Sequence, residues 1–221
     1  MIVINTKNYK FGKELLDLSK DVQKYLGKVV IAVPSTDIRE ISEKTKLIVY
    51  SQHVVPVEDE RHTGFVISEA VKSAGAKGTL VNHSEHKVSE HYIKETLRVC
   101  EKKNFGVIVC VSSLNEAKKI LKLRPRPLAI ALEDKWLIGT GKSITKYKSG
   151  DIAEFVKLLK GSRVLALCGA GISDARDVFE AYRLGCEGVL IASAIAKNKN
   201  YVDLLKEIKE LKGLTERDKE K

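Results

Sequence analysis

A chain of 221 residues, 43% hydrophobic and 31% charged, carries enough apolar material for a substantial buried core and has the profile of a globular protein. No apolar run approaches the roughly 20 residues that span a bilayer, and the opening Ile2-Val3-Ile4 followed by polar residues lacks the apolar centre of a secretion signal, so the expectation is a cytoplasmic protein without a membrane partner. The formal charge of +10 admits nucleic acid, but Lys and Arg alternate with Asp and Glu, as in EKKN and LLKEIKELKGLTERDKEK, and no basic strip carries aromatics; the charge reads as solvated helix faces that also favour an anionic small substrate, not a nucleic-acid partner.

Eight short apolar runs punctuate the chain. They are IVIN (2–5), VVIAV (29–33), LIVYSQ (47–52), GTLVN (78–82), GVIVCV (106–111), PLAIALE (127–133), RVLALC (163–168) and GVLIAS (188–193). Each is nearly continuous in hydrophobes, which predicts strands covered on both faces, as in a parallel sheet. Amphipathic segments lie between them. The first starts near Leu15 and sets Leu15, Leu16, Leu18, Val22, Tyr25 and Leu26 on one face. A short helix begins at Thr36-Asp37, and another spans 67–74. Ser89 caps a helix over 90–103, Ser113 opens one over 114–122, and Ser149 or Asp151 opens one over 151–160. Ser173 and Asp174 open a helix over 174–184, with Val178, Phe179 and Tyr182 turned inward and Gly185 as its stop. The last, over 201–211, buries Val202, Leu204, Leu205, Ile208 and Leu211, and the tail from about 213 to 221 frays. Eight strand–helix units with no Pro/Gly-rich linker predict one α/β domain over 1–221, a closed (β/α)8 TIM barrel in preference to an open doubly wound sheet.

In such a barrel chemistry gathers at the C-terminal ends of the strands. The first strand ends in Asn5-Thr6-Lys7, the third in Gln52-His53, the fourth in Asn82-His83-Ser84-Glu85, the sixth in Glu133. The seventh runs into Cys168-Gly169-Ala170-Gly171-Ile172-Ser173 and the eighth into Ala192-Ser193, where small residues let backbone N–H groups approach a phosphate; tight turns alone would also explain them. Taken singly, Lys7 is a surface lysine and His83 a structural histidine. A Glu, a His, a Lys and an anion site on one rim make a sharper set: the carboxylate removes a proton beside a carbonyl, while His and Lys polarise the oxygen, with no metal or cofactor required. His83 and His86 lack a third partner at metal-ligand spacing, and the four cysteines, Cys100, Cys110, Cys168 and Cys186, show no CxxC and read as reduced, buried thiols. Beyond Glu133, Trp136-Leu137-Ile138 before Gly139-Thr140-Gly141 has the composition of an apolar lid tip on a flexible arm. An aldolase would want a Schiff-base lysine inside a strand, and none is so placed; other phosphate-binding barrel lyases and a non-enzymatic binder are the alternatives.

The pieces INTK, SQHV, HTG, NHSE, LEDKWLIGTGKS, LCGAGIS and GVLIAS, in this order over nearly the whole chain, resemble the triosephosphate isomerases, in the short form found in archaea. The resemblance implies an aldose–ketose isomerase acting on a triose phosphate. It makes Glu133 the base, His83 the electrophile, and Asn5 and Lys7 substrate ligands, with Thr6 between them. Ile138, Gly171, Ala192 and Ser193 then meet the substrate or its phosphate under a lid over 134–142. Glu85 supports the lysine, and Thr63 in HTG reaches a neighbouring subunit of a homodimer or homotetramer. The chain departs from the family where Asp134-Lys135 replace the proline usual after the base, which implies a softer lid hinge, and where His86-Lys87 stand in place of a common arginine, which leaves the ion pairing there open.

Overall fold

A computed structural model describes residues 1–58, 61–133, 149–169 and 171–217. Each apolar run forms a strand: β1 Ile2–Asn5, β2 Val30–Val33, β3 Ile48–Ser51, β4 Gly78–Val81, β5 Gly106–Val111, β6 Ala129–Leu132, β7 Leu165–Cys168 and β8 Gly188–Ile191. They pair in chain order, all parallel, and β8 closes on β1 through Val3 beside Leu190. The helices are α1 Gly12–Leu26, α2 Ile38–Lys44, α3 Ser68–Ser73, α4 Glu90–Glu101, α5 Leu114–Lys122, α6 Ser149–Leu159, α7 Ala175–Arg183, α8 Ser193–Ala196 and α9 Tyr201–Arg217. The Ser89 hydroxyl accepts the Tyr92 N–H and the Ser113 hydroxyl accepts the Glu116 N–H, as the capping sequences predict.

Side chains alternate along each strand, so the closed sheet has two buried faces and two cores. Val3, Val30, Ala32, Tyr50, Leu80, Ile108, Cys110, Ala129, Ala131, Leu167 and Leu190 point into the barrel. Their neighbours, such as Ile4, Ile31, Val49, Val109, Ile130 and Val189, point out and meet Leu15, Ile41, Ile93, Ile120, Phe155 and Leu205 on the helices. The base of the barrel is plugged by one large ring among small residues. A Cβ at Gly78 would overlap the Tyr50 ring and the Gly106 carbonyl, one at Gly106 the Tyr50 hydroxyl, and one at Gly188 the Met1 carbonyl. Helix α9 returns to pack on α1 and α7, and its Tyr201 hydroxyl donates to Asp21 on α1 at 2.7 Å.

Three details depart from the sequence reading. Helix α7 buries Ala175, Asp177, Val178 and Ala181, while Phe179 and Tyr182 are more than a third exposed. Close approach of α7 to the sheet selects the small side chains, and the two rings are left on its flank. Helix α9 continues to Arg217, past the end of its apolar stripe. The four-residue α8, directly after β8, is too short to show a period in sequence. Among the described residues no helix is long and apolar enough to cross a membrane.

The plug gives a direct test. Gly78→Ala should lower stability by about 1–3 kcal/mol through overpacking against Tyr50, read as a fall in the urea midpoint with an unchanged slope. A midpoint equal to the parent's would mean that this layer has slack.

Candidate active site

The inward alternation carries past the strand ends and sets the first side chains above the core. On β6 it runs Ala129, Ala131, Glu133; on β1 Val3, Asn5; on β7 Leu167, Gly169; on β8 Leu190, Ala192. Glu133 is 5% exposed, and its N–H is fixed on the Val111 carbonyl at 2.8 Å. Gly169 makes room for it: a Cβ there would stand 2.9 Å from Leu190 Cβ and 3.4 Å from Glu133 Cγ. Glu133 Oε2 is buried and has no hydrogen-bond partner among the described residues. Beneath lies Cys110, whose thiol is pushed far above its ordinary range by burial and then by the Glu133 charge, so it stays protonated.

Two residues break the alternation by turning left-handed, Lys7 at φ 48° and Asn82 at φ 61°. The Asn5 side chain accepts the Lys7 N–H at 3.0 Å, a local turn that favours this conformation. Gln52 Nε2 donates to the Lys7 carbonyl at 2.8 Å. Lys7 Nζ then reaches Glu85 Oε1 at 2.8 Å, with the lysine largely buried and the glutamate exposed. The turn at Asn82 swings His83 over the barrel mouth, where its Nε2 lies 3.4 Å from Glu133 Oε1. The Glu85 N–H donates to His83 Nδ1 at 3.2 Å. A ring nitrogen that accepts an N–H leaves the ring's hydrogen for the other nitrogen, here Nε2, which faces Glu133 and the cavity.

That cavity, about 640 Å³, is walled by Lys7, His83, Glu85 and Glu133 on one side and by Gly171, Ser173, Ala192 and Ser193 on the other. Gly171 has φ 63°, which a side chain would strain. Ser173 donates through both N–H and hydroxyl to the buried Asp177, at 2.9 and 2.8 Å, and Asp177 N–H returns to Asp174, its cap. The first amides of α8, at Ser193 and Ala194, have no acceptor within their own helix. Tyr9 and Lys197 also line the cavity, and both Lys7 and Lys197 stand near the Tyr9 ring, at 5.9 and 6.0 Å. Sequence reasoning missed these two; the one available signal is that Lys197 follows Ser193 by a helical turn.

Not every residue singled out in the sequence reaches this cavity. Asn5 lines an adjoining hollow of about 490 Å³ that shares Lys7, His83 and Glu85. Thr6 is fully buried, its hydroxyl donating to the Ala32 carbonyl at 3.1 Å. Thr63 is exposed in the loop between β3 and α3, away from both hollows. Ile138 and the rest of the 134–142 segment, with Asp134, Lys135 and Trp136, lie outside the described residues. His86 turns from His83 and stacks on His53, ring centres 4.1 Å apart, while Lys87 finds Glu116 at 2.7 Å in the position where the resemblance left pairing open. All four cysteines are free and buried.

Comparison with known proteins places this geometry in context. The family model described as triosephosphate isomerase matches residues 1–208. The triosephosphate isomerase of Methanocaldococcus jannaschii is 36% identical over 216 residues, 94% of this chain and 98% of the relative. That of Sulfolobus acidocaldarius is 36% identical over 206 residues, 90% of this chain and 89% of the relative. The crystal structure of triosephosphate isomerase from Bartonella henselae shares the fold, with a TM-score of 0.75 at 19% identity over 96% of this chain and 98% of that one.

Burial, and then the charge on His86, press the His53 imidazole down from 6.5 to about 4, while its Nε2 shares a hydrogen bond with the Tyr92 hydroxyl at 2.8 Å. The unfolded chain therefore takes up this proton at a higher pH than the folded one, so stability falls as pH drops from 6.5 towards 4 and levels off below. His53→Gln should flatten that decline in urea midpoint relative to the parent. A parallel decline in both proteins would assign the acid sensitivity to other groups.

Proposed function

The chain belongs to the triosephosphate isomerase family, and we propose that it interconverts dihydroxyacetone phosphate and D-glyceraldehyde 3-phosphate by proton transfer through an enediolate. The observation that carries this reading is the buried Glu133 carboxylate, one oxygen unpartnered among the described residues, 3.4 Å from Nε2 of His83, whose Nδ1 accepts the Glu85 N–H.

In this mechanism Glu133 takes the proton from the carbon beside the carbonyl. The electron pair moves into the C–C bond, and the carbonyl oxygen gains charge opposite His83 Nε2–H and the Lys7 ammonium. His83 passes its proton to that oxygen and takes the one from the neighbouring hydroxyl, which moves the carbonyl along the chain by one carbon. Glu133 then returns its proton to the other carbon. A neutral imidazole suits this exchange because the proton is shuttled between two weakly acidic oxygens; enzymes of this family are themselves a standard illustration of that tuning. Asn5 and Lys7 bind the substrate's polar groups, and the amides at Gly171, Ala192 and Ser193 hold the phosphate, with Thr6 securing the strand-end turn beneath them. Ile138 and the lid over 134–142 would cover the intermediate and keep water from it. Glu85 orients Lys7. Thr63 would approach the site of a second copy in a homodimer or homotetramer. Proton transfer and fixed charge account for every step, so the reading calls for no metal or cofactor, and it places the protein in glycolysis and gluconeogenesis in the cytoplasm.

Isomerisation of glyceraldehyde 3-phosphate, beside Glu133→Asp, tests the reading. The shortened carboxylate retreats by about one ångström, which should cost roughly a hundredfold or more in kcat, with circular dichroism unchanged. A folded parent without activity towards either triose phosphate would overturn the proposal.

A further inference from the structure

We infer that Glu116, outside the cavity at the start of α5, is a positioning residue that holds His83 in its Nε2–H tautomer by clamping the 82–88 segment, an inference that rests on the reading of His83 as the electrophile. Sequence alone gives Glu116 a humbler task. Ser113-x-x-Glu116 is a capping pair, and Glu116 Oε2 does reach back to Ser112, accepting its N–H at 2.7 Å and its hydroxyl at 2.9 Å. The other oxygen has nothing to do with the helix. Oε1 accepts Asn82 Nδ2 at 2.7 Å and Lys87 Nζ at 2.7 Å, residues at opposite ends of the segment that contains His83 and Glu85.

That segment needs a clamp. Asn82 sits at φ 61°, a left-handed conformation that asparagine adopts more readily than other side chains, yet at a cost relative to glycine. Its side chain is fully engaged: Nδ2 also donates to the Cys110 carbonyl at 2.7 Å, and Oδ1 accepts the Val88 N–H at 3.1 Å. Glu116 therefore ties the end of β5, the start of α5 and both ends of the β4–α4 connection to one carboxylate. Between those ends, His86 N–H closes on the His83 carbonyl at 2.8 Å, and Glu85 N–H closes on His83 Nδ1 at 3.2 Å. The second of these bonds selects the tautomer. Burial pushes the Glu116 carboxyl up, but Lys87, the Ser112 amide and Asn82 together hold it below its usual range, so the clamp is charged at neutral pH.

Glu116→Gln offers one acceptor oxygen to two sets of donors, so its NH2 faces either the Asn82–Lys87 pair or the Ser112 N–H, and the charge that holds Lys87 is gone. The Asn82 turn then relaxes, Glu85 N–H withdraws, and His83 is free to carry its proton on Nδ1. The experiment is the nitrogen-15 spectrum of histidine-labelled protein without substrate, with kinetics beside it. The parent should show His83 protonated at Nε2 alone; Glu116→Gln should show a tautomer mixture. In the isomerase assay, kcat and kcat/KM should fall together by roughly ten- to a hundredfold, with the acid limb of kcat/KM displaced. Ser113→Ala, which removes the cap of the same helix but not the clamp, separates loosening from positioning: it should lower the melting temperature and leave the His83 spectrum unchanged. Should Glu116→Gln not fold, Lys87→Met removes one arm of the clamp while keeping the Ser112 contacts, and the same shift is expected. A parental His83 spectrum in the clamp variants, or an equal shift in Ser113→Ala, overturns the inference. Because the spectrum is recorded without substrate, a parent that isomerises nothing defeats the functional proposal alone.

Discussion

Everything in this molecule depends on the two-residue period of a β-strand inside a sheet with no edge. Closure from β8 to β1 gives each strand a neighbour on both sides, so all eight face either the helices or the barrel axis. A slip of one residue in any strand would exchange its inner and outer sets, putting Ile4 where Val3 lies and turning Asn5 out. The Tyr50 plug resists such a slip, since its ring occupies the space left by Gly78 and Gly106. The same register that fills the core delivers Asn5, Glu133, Gly169 and Ala192 to the mouth of the barrel. The placement of these side chains is the top layer of core packing.

Register alone would not bring His83 and Lys7 to Glu133. Both arrive through a left-handed residue at a strand end, Lys7 itself and Asn82. Such conformations are costly for side chains larger than glycine, and each is secured by a short polar contact: Asn5 to the Lys7 N–H, and Asn82 to Cys110, Val88 and Glu116. The Lys7–Glu85 pair belongs to the same scheme. With Glu85 well exposed, the pair adds little stability; its consequence is that the ammonium is held on the same wall of the cavity as His83.

The eight strands were legible because double coverage writes them as unbroken hydrophobe runs, and the observed strands fall within every predicted run. The rim residues were legible because a closed barrel sends all strand ends to one place, so Glu133, His83, Lys7, Gly171, Ala192 and Ser193 could be listed before any distance was known. What escaped was set by contacts between elements. Phe179 and Tyr182 read as a buried face of α7 from their spacing, yet the sheet admits only Ala175, Val178 and Ala181 at that distance. Helix α8 is shorter than the period that would betray it. Tyr9 lies in a polar segment with no pattern and is joined to the cavity by the fold alone, and the one signal for Lys197 is its place a helical turn after Ser193. Glu116 carried a helix-capping signature, which hid its contacts with Asn82 and Lys87.

The role proposed for Glu133 asks for a carboxylate that is both ionised and unsatisfied, and folding opposes each. Burying a carboxylate with a vacant oxygen costs free energy that a well-packed apolar residue would not. Among the described residues, the surroundings of Glu133 limit that cost and leave Oε2 without a partner. Cys110 below keeps its proton, so no second negative charge competes. His83 brings a nitrogen-bound hydrogen to one oxygen at 3.4 Å, too distant and too weakly placed to quench the charge as an arginine would. Gly169 withholds a side chain that would press on the carboxylate stem. Stability at this point is surrendered in a controlled way, and the hydrogen-bonded turn at Asn82 holds His83 beside it.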